Sequence, residues 1–121
     1  MDKGQAVQFF WEGFGLPAYD ANTVPPSAEM PYITYEVATG KLDDRLPLTA
    51  SLWYHSMSWD DISGKAAQIA QHIVDAPKPL KIEGGYLWIV QGTPFAQRMS
   101  APDDSVRRIV LNIQAEFITG D

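Results

Sequence analysis

Alternating apolar and polar positions predict most of the strands in this chain. Pro31–Val37 is rich in β-forming residues, and Leu48–Tyr54 follows as a second strand. In that second strand the residues on one face are Leu48, Ala50, Leu52 and Tyr54. The two segments are expected to form an antiparallel pair joined by a long loop. Period two is sustained from Arg108 to Phe117, with Val110 as the apolar exception, so this final strand carries the strongest strand signal.

A β-hairpin is predicted over Leu80–Val90, with Gly84-Gly85 as a tight turn. This turn would pair Ile82 with Leu87, Leu80 with Ile89, and Lys81 with Trp88. The four aliphatic side chains would share the core face, and Lys81 would contact the Trp88 ring on the other face. Thr93–Pro102, bounded by prolines, is interpreted as a loop that leads into the final strand.

Two helices are predicted by apolar spacing and capping residues. Ala6–Phe14 repeats Val7, Phe10 and Phe14 at helical spacing, and the proline-rich segment Pro17–Met30 after it is interpreted as a loop. Ser58 is the expected N-cap of a second helix, since Asp61 lies three residues later and the two acids Asp60 and Asp61 suit the positive end of the helix dipole. The apolar stripe of that helix is Ile62, Ala66, Ile69, Ala70 and Ile73, and Pro77 and Pro79 prevent continuation past Ala76.

The order helix, strand, strand, helix, hairpin, strand indicates an α+β fold. We expect an antiparallel β-sheet with the N-terminal helix and the central capped helix packed on it. With 121 residues the chain is interpreted as a single domain spanning 1–121.

Composition and charge narrow the classes of function. The net charge of −6 disfavours a nucleic-acid-binding module, because contacts to phosphate need clustered cations. The absence of cysteine excludes disulfides and thiolate metal sites. Apolar runs such as Ile109–Leu111 are far shorter than a membrane span, and no secretory signal opens the chain, so we expect a soluble intracellular product with no membrane partner.

Candidate catalytic and metal-binding residues are better explained by local structure. His55 lies near Ser58 and Asp61, but no Gly-x-Ser-x-Gly nucleophile elbow occurs, and the serine and the acid are already explained as a helix cap. His72 has no second ligand four residues on. The paired acids 43–44 and 103–104 lack the spacing of a calcium loop. We therefore expect no catalytic residue, no cofactor and no metal, and keep a small enzyme using His55 as an alternative.

Two groups of segments resemble a family of small phage tail proteins. The first group is Pro31–Tyr35, Leu46–Tyr54 and Ser58–Asp60, and the second is Gly84–Ile89 and Gly92–Met99. Over roughly Tyr32–Thr119 the chain is similar to the tail terminator and tail-to-head joining proteins that tailed phages and prophages of Gram-positive bacteria encode in their morphogenesis modules.

The resemblance implies an α+β subunit of a homohexameric ring that caps the finished tail tube and presents a surface to the head connector. Its expected partners are the tail tube protein and the head connector or stopper. The expected location is the head-proximal end of the virion tail, after assembly in the host cytoplasm. DNA would pass through the lumen without specific binding, which an acidic subunit favours. A head-completion or neck connector protein is the alternative within the same class.

Ring contacts are heterologous, so two different patches of each subunit must meet. Loops Thr39–Arg45 and Thr93–Pro102 are the predicted carriers, because both interrupt strands and combine charge with apolar side chains. Surface aromatics also indicate an interface. The predicted interface residues are Lys41, Asp43, Asp44, Arg45, Trp88, Phe95, Arg98 and Met99.

Overall fold

Two helices and six strands make up the part of the chain that the structure, a computed structural model, describes: residues 2–36, 46–75, 79–101 and 103–119. In chain order these elements are α1 (Lys3–Glu12), β1 (Ala18–Asp20), β2 (Tyr32–Tyr35), β3 (Leu46–His55), α2 (Asp60–Asp75), β4 (Leu80–Ile82), β5 (Gly85–Met99) and β6 (Val106–Thr119). The α+β class and the predicted order of helices and longer strands are confirmed. Among these residues, no helix is long and apolar enough to cross a membrane.

The strands form one six-stranded sheet in the order β1-β2-β3-β6-β5-β4. All neighbouring pairs are antiparallel except β1 with β2, which run parallel. The expectation of a purely antiparallel sheet, and of a loop throughout Pro17–Met30, was therefore wrong. Ala18–Asp20 is too short to show a period, and its strand conformation comes from pairing with β2, where Ile33 N–H donates to Pro17 O at 2.8 Å.

Both helices pack on one face of the sheet. The predicted stripe of α2 is confirmed, with Ile62, Ala66, Ile69 and Ile73 buried and Ala70 half-buried. The sheet residues beneath include Leu52, Leu87 and Leu111, each fully buried. Since burying one such side chain contributes about 1.5–3 kcal/mol, this helix-covered face supplies the main driving force for folding.

Helix α1 starts earlier than its apolar spacing predicts. Asp2 and Gln5 form a reciprocal capping box, in which Gln5 N–H donates to Asp2 Oδ1 at 2.8 Å and Asp2 N–H donates to Gln5 Oε1 at 2.9 Å. Val7 and Phe14 of the predicted apolar spacing are buried and Phe10 is half-buried against the core, while Trp11, which the spacing did not include, is fully buried.

The pairing between the two strands of the hairpin is shifted by two residues from the predicted pairing. Ile82 pairs with Gly85 and Leu80 with Leu87, so Glu83-Gly84 forms the turn and Lys81 lies opposite Tyr86, not Trp88. Gly84 takes a φ of +82°, a conformation that side chains disfavour, which explains why the turn settles there. A slip of two residues keeps every side chain on its face, so Ile82, Leu87 and Ile89 are buried as predicted.

Thr93–Met99 is strand and not loop, which corrects the predicted loop Thr93–Pro102. Strand β5 continues to Met99, interrupted by an irregularity in which residues 92–95 lie opposite Asn112 alone. A strand carrying such a bulge loses its period, and Pro94 adds an apparent stop, so the pattern hides the continuation. We call Ala96–Met99, which pairs with β6 from Leu111 to Arg108, the second arm of β5.

Candidate interaction surface

His55 does not form a catalytic constellation with the nearby serine and acid. It is exposed at the end of β3, and in the described part of the chain its imidazole side chain makes no hydrogen bond. Ser58 Oγ instead accepts a hydrogen bond from Asp60 N–H at 3.1 Å, and the first helical bond of α2 runs from Ser63 N–H to Trp59 O at 3.0 Å. Trp59 is therefore the N-cap residue of α2, and Ser58, one residue earlier than the N-cap, binds the N–H of the first helical residue. The described residues also contain no cluster of side chains that could hold a metal ion.

Trp59, at the start of α2, lies between two arginines from the sheet. The guanidinium carbon of Arg98 lies 4.7 Å from the centre of one Trp59 ring, and that of Arg107 lies 5.4 Å from a Trp59 ring. Each contact is a cation–π interaction of about 0.5–1 kcal/mol at an exposed site. We call Trp59, Arg98 and Arg107 the arginine–tryptophan cluster. It ties the N-terminus of α2 to the ends of β5 and β6.

Backbone carbonyls hold Arg107 in this cluster. Its Nη1 donates to Asp104 O at 2.7 Å and to Val106 O at 3.2 Å, and its Nη2 donates to Met57 O at 2.8 Å. Its Nε is buried and makes no hydrogen bond in the described part of the chain. Arg107 thus acts as an internal clamp. Arg98 is exposed and is the arginine of the cluster that a partner can reach.

Arg108 belongs to the opposite, helix-free face of the sheet. Its guanidinium carbon lies 4.8 Å from a Trp53 ring centre, and its Nε donates to Ser51 Oγ at 3.2 Å. Trp53 Nε1 in turn donates to Thr34 Oγ1 at 2.9 Å. The Trp53 side chain is therefore half-buried and already bonded within the chain.

The predicted interface residues do not form one patch. Arg98 pairs with buried Ile109 and faces α2, whereas Met99 pairs with Arg108 on the helix-free face. Phe95 is half-buried and packs against the core. Trp88 is half-buried, with Glu116 opposite it on β6. Lys41, Asp43, Asp44 and Arg45 lie outside the described residues.

The second arm of β5 is an open sheet edge. Strand β4 pairs with β5 only from Gly85 to Leu87, and in the described part of the chain no strand lies beside Ala96–Met99 on the side away from β6. All four side chains of the arm are exposed. A cavity of about 280 Å³ separates the arm from α2, with Ile109 among its lining residues and small helix residues along one side: Ser63, Ala66, Ala67 and Ala70. Open edges are the usual site of pairing with another chain.

Carboxylates gather at the far edge of the same sheet. Residues 2–36 contain five acids and one base, and β1 ends with Asp20. Burial raises the pKa of the Tyr35 hydroxyl, and the negative charges of Asp20 and Glu12 raise it further. Both carboxylates therefore act on the same part of the β1 edge, which is acidic, while the β5 edge carries Arg98.

The arginine–tryptophan cluster was missed by the sequence reasoning. Trp59 is 39 residues from Arg98 and 48 from Arg107, and the three side chains come together only through the sheet order and the packing of α2. One signal was present, since Arg98, Arg107 and Arg108 are three of the four arginines in an acidic sequence. Arginine is common in the centres of protein interfaces, so this clustering in the last third is the feature that could have indicated a contact surface.

Comparison with known proteins gives a likeness of fold. No family model matches the chain, and no curated protein matches it. A chain of the solved structure described as the virion of native gene transfer agent (GTA) particle is similar, with a TM-score of 0.64 and 19% sequence identity. The likeness covers 97% of this chain and 91% of the other. At this identity it concerns the fold.

Proposed function

We propose that this chain is a structural protein of a phage-like virion, a tail terminator whose subunits form a ring on the tail tube and join it to the head connector. The observation that carries the proposal is the likeness to a virion chain over 97% of the present chain. A likeness that covers both chains almost completely includes the whole sheet with its helices, and is not limited to a common supersecondary unit. The resemblance of Pro31–Tyr35, Leu46–Tyr54 and Gly92–Met99 to tail terminators supports the finer assignment.

The surface chemistry supports an assembly role. Met57 is 70% exposed, and its carbonyl oxygen accepts a hydrogen bond from Arg107 of the arginine–tryptophan cluster. Met99 is 43% exposed and lies next to Arg98 in the chain, on the opposite, helix-free face of the sheet. Exposed methionine together with arginine and tryptophan is the composition of interface centres, not of ordinary solvated surface. The open edge of the second arm gives a further place where another chain can add.

A ring subunit also agrees with the electrostatics. The net charge of −6 would keep DNA from adhering to the wall of a channel, and salt-screened repulsion would let it slide. No enzymatic step is part of this proposal, and no cofactor is needed for it.

The test is reconstitution with a tail tube protein from the genome that encodes this chain. Tubes assembled in vitro are incubated with the purified chain, and electron microscopy counts ends that carry a ring, with the same tubes alone as the control. We expect one tube end to be closed and elongation to stop. Mass photometry should detect a species six times the 13.4 kDa of one chain, in solution or after release from tubes.

Two outcomes would contradict the proposal. A chain that stays monomeric at all concentrations and leaves tube ends bare has no terminator function. A chain that ignores tubes but binds the portal or adaptor protein in a pull-down is a neck connector instead. A monomer in solution alone decides nothing, because the measurement is made on tube ends as well.

A further inference from the structure

We propose that neighbouring copies of this chain meet through the two edges of the sheet, with Arg98 on the second arm of β5 of one copy against the carboxylates Glu12 and Asp20 at the β1 edge of the next. This inference rests on the proposed ring, and it specifies which surfaces form it. The occupant of the open edge is thus a second copy of the same chain.

Three strands of the sheet, β2, β3 and β6, separate β1 from the second arm of β5. Strand β1 is the first strand of the sheet, and the second arm of β5 is exposed at the other side because β4 covers only Gly85–Leu87. A closed ring needs two different, complementary patches on each subunit. Opposite edges of one sheet satisfy that condition.

Charge decides which edges pair. If two second arms met each other, two Arg98 side chains would approach, and like charges facing each other across strands are destabilising. The β1 edge instead offers two carboxylates, since Asp20 ends β1 and Glu12 is bonded to Gln8, whose Nε2 also donates to Ala18 O of β1. Contact between unlike edges is therefore favoured over a symmetric dimer, as ring formation requires.

The local surroundings leave Arg98 available for this contact. Its guanidinium lies on Trp59, which orients it without consuming its hydrogen-bond donors. Within the described part of the chain, Arg98 makes no ion pair, and the carboxylate of Asp103, five residues on, accepts hydrogen bonds at Oδ1 from the backbone N–H and the hydroxyl of Ser105, both at 2.8 Å. The acids Asp60 and Asp61 lie in the first turn of α2, where their negative charges interact favourably with the positive end of the helix dipole.

At the β1 edge of the neighbouring copy, side chains make the proposed contact with Arg98, in place of a long ladder of main-chain hydrogen bonds. Gln8 Nε2 donates to Ala18 O at 3.1 Å and also to Glu12 Oε1, so the backbone of β1 is partly covered by α1. Asp20 Oδ1 accepts from Asn22 N–H at 2.9 Å, and among the described residues the second oxygen of this carboxylate makes no hydrogen bond. An arginine can bind such carboxylates with two parallel hydrogen bonds.

The test is a charge swap between the two edges. Arg98→Glu and Glu12→Arg are made singly and together, and ring formation on tube ends is counted with mass photometry alongside. Each single variant should weaken assembly by about tenfold or more, because like charges then face each other across every contact. The double variant should recover most of the loss, since the pair is restored with its signs exchanged.

Matched controls reverse one charge elsewhere on the exposed surface. Lys81→Glu on β4 and Glu83→Arg in the hairpin turn should assemble like the unchanged chain. Thermal unfolding verifies that every variant is folded; Arg98 and Glu12 are both exposed, so the fold is expected to tolerate their reversal.

The outcomes separate this inference from the proposed function. Rings that form normally with Arg98→Glu overturn the edge contact and leave the terminator role standing. Loss in both single variants without recovery in the double variant also overturns it, because the two residues then do not face each other. Absence of rings in the unchanged chain, on tubes and in solution, refutes the terminator role first and the edge contact with it.

Discussion

Replacing Gly92 by alanine tests the irregularity that creates the second arm of β5. A Cβ built at Gly92 lies 2.9 Å from the carbonyl oxygen of Asn112 and 3.0 Å from its carbonyl carbon and its Cβ, where ordinary contact begins at 3.4 Å. Asn112 lies in β6, which is held between β3 and β5, so its backbone has little room to retreat. Forcing an extra methyl group into such a contact costs about 1–3 kcal/mol.

The expected result is a lower melting temperature. Unfolding entropy of about 2.1 cal/mol/K per residue gives roughly 0.25 kcal/mol/K for 121 residues, so the variant should melt about 4–12 °C lower. The control is Gly64→Ala in the interior of α2, where no atom lies within 4 Å of the added Cβ. That change should raise stability by about 0.5–1 kcal/mol, or roughly 2–4 °C.

Circular dichroism and urea unfolding measure both variants under the same conditions. If Gly92→Ala melts at or above the temperature of the unchanged chain, the close approach between β5 and β6 at this point is refuted. If both alanine variants lose stability equally, the effect comes from glycine replacement in general and not from the contact with Asn112.

Three further substitutions test the core, the arginine–tryptophan cluster and the titration of a buried hydroxyl. Trp59→Ala removes the ring that contacts two arginines and should lower the free energy of unfolding, measured in urea, by about 1–3 kcal/mol. The control is Met57→Ala at an exposed position, which should change the free energy of unfolding by under about 0.5 kcal/mol. Equal losses in the two variants would refute a stabilising role of the cluster. Leu111→Ala should lower the free energy of unfolding by about 2–5 kcal/mol because that side chain is fully buried, and Val110→Ala on the helix-free face should lower it much less. A larger loss in Val110→Ala would contradict a core on the helix-covered face. The raised pKa of Tyr35 means that the folded state holds the hydroxyl proton more tightly than the unfolded state, so the stability present below pH 10 is lost as the pH rises above it. In urea titrations at several alkaline pH values, Tyr35→Phe should make the free energy of unfolding fall less steeply with pH. An unchanged dependence on pH would contradict a raised pKa at Tyr35.

Local periodicity predicted the parts of the fold that are decided locally. The stripe of α2 and the alternation of β6 were correct, because each is long enough for one face to be buried throughout. The hairpin turn was misplaced, yet its faces were right, since a slip of two residues preserves them. Strand β1 and the second arm of β5 were missed, because a three-residue strand has no period and a bulge breaks the period of a long one.

The bulge also explains why the contact residues could not be assigned to faces from the sequence. Before it, the residues of β5 that face the helices have odd numbers, as Leu87 and Ile89 do; after it they have even numbers, since Ala96 pairs with Leu111 and Arg98 with Ile109. An uninterrupted strand would have turned Arg98 to the helix-free face, away from Trp59. The same irregularity therefore sets the sheet register at Gly92 and orients the arginine at the open edge. For this reason, the stability of Gly92→Ala and the assembly of the Arg98 variants probe two consequences of one structural feature.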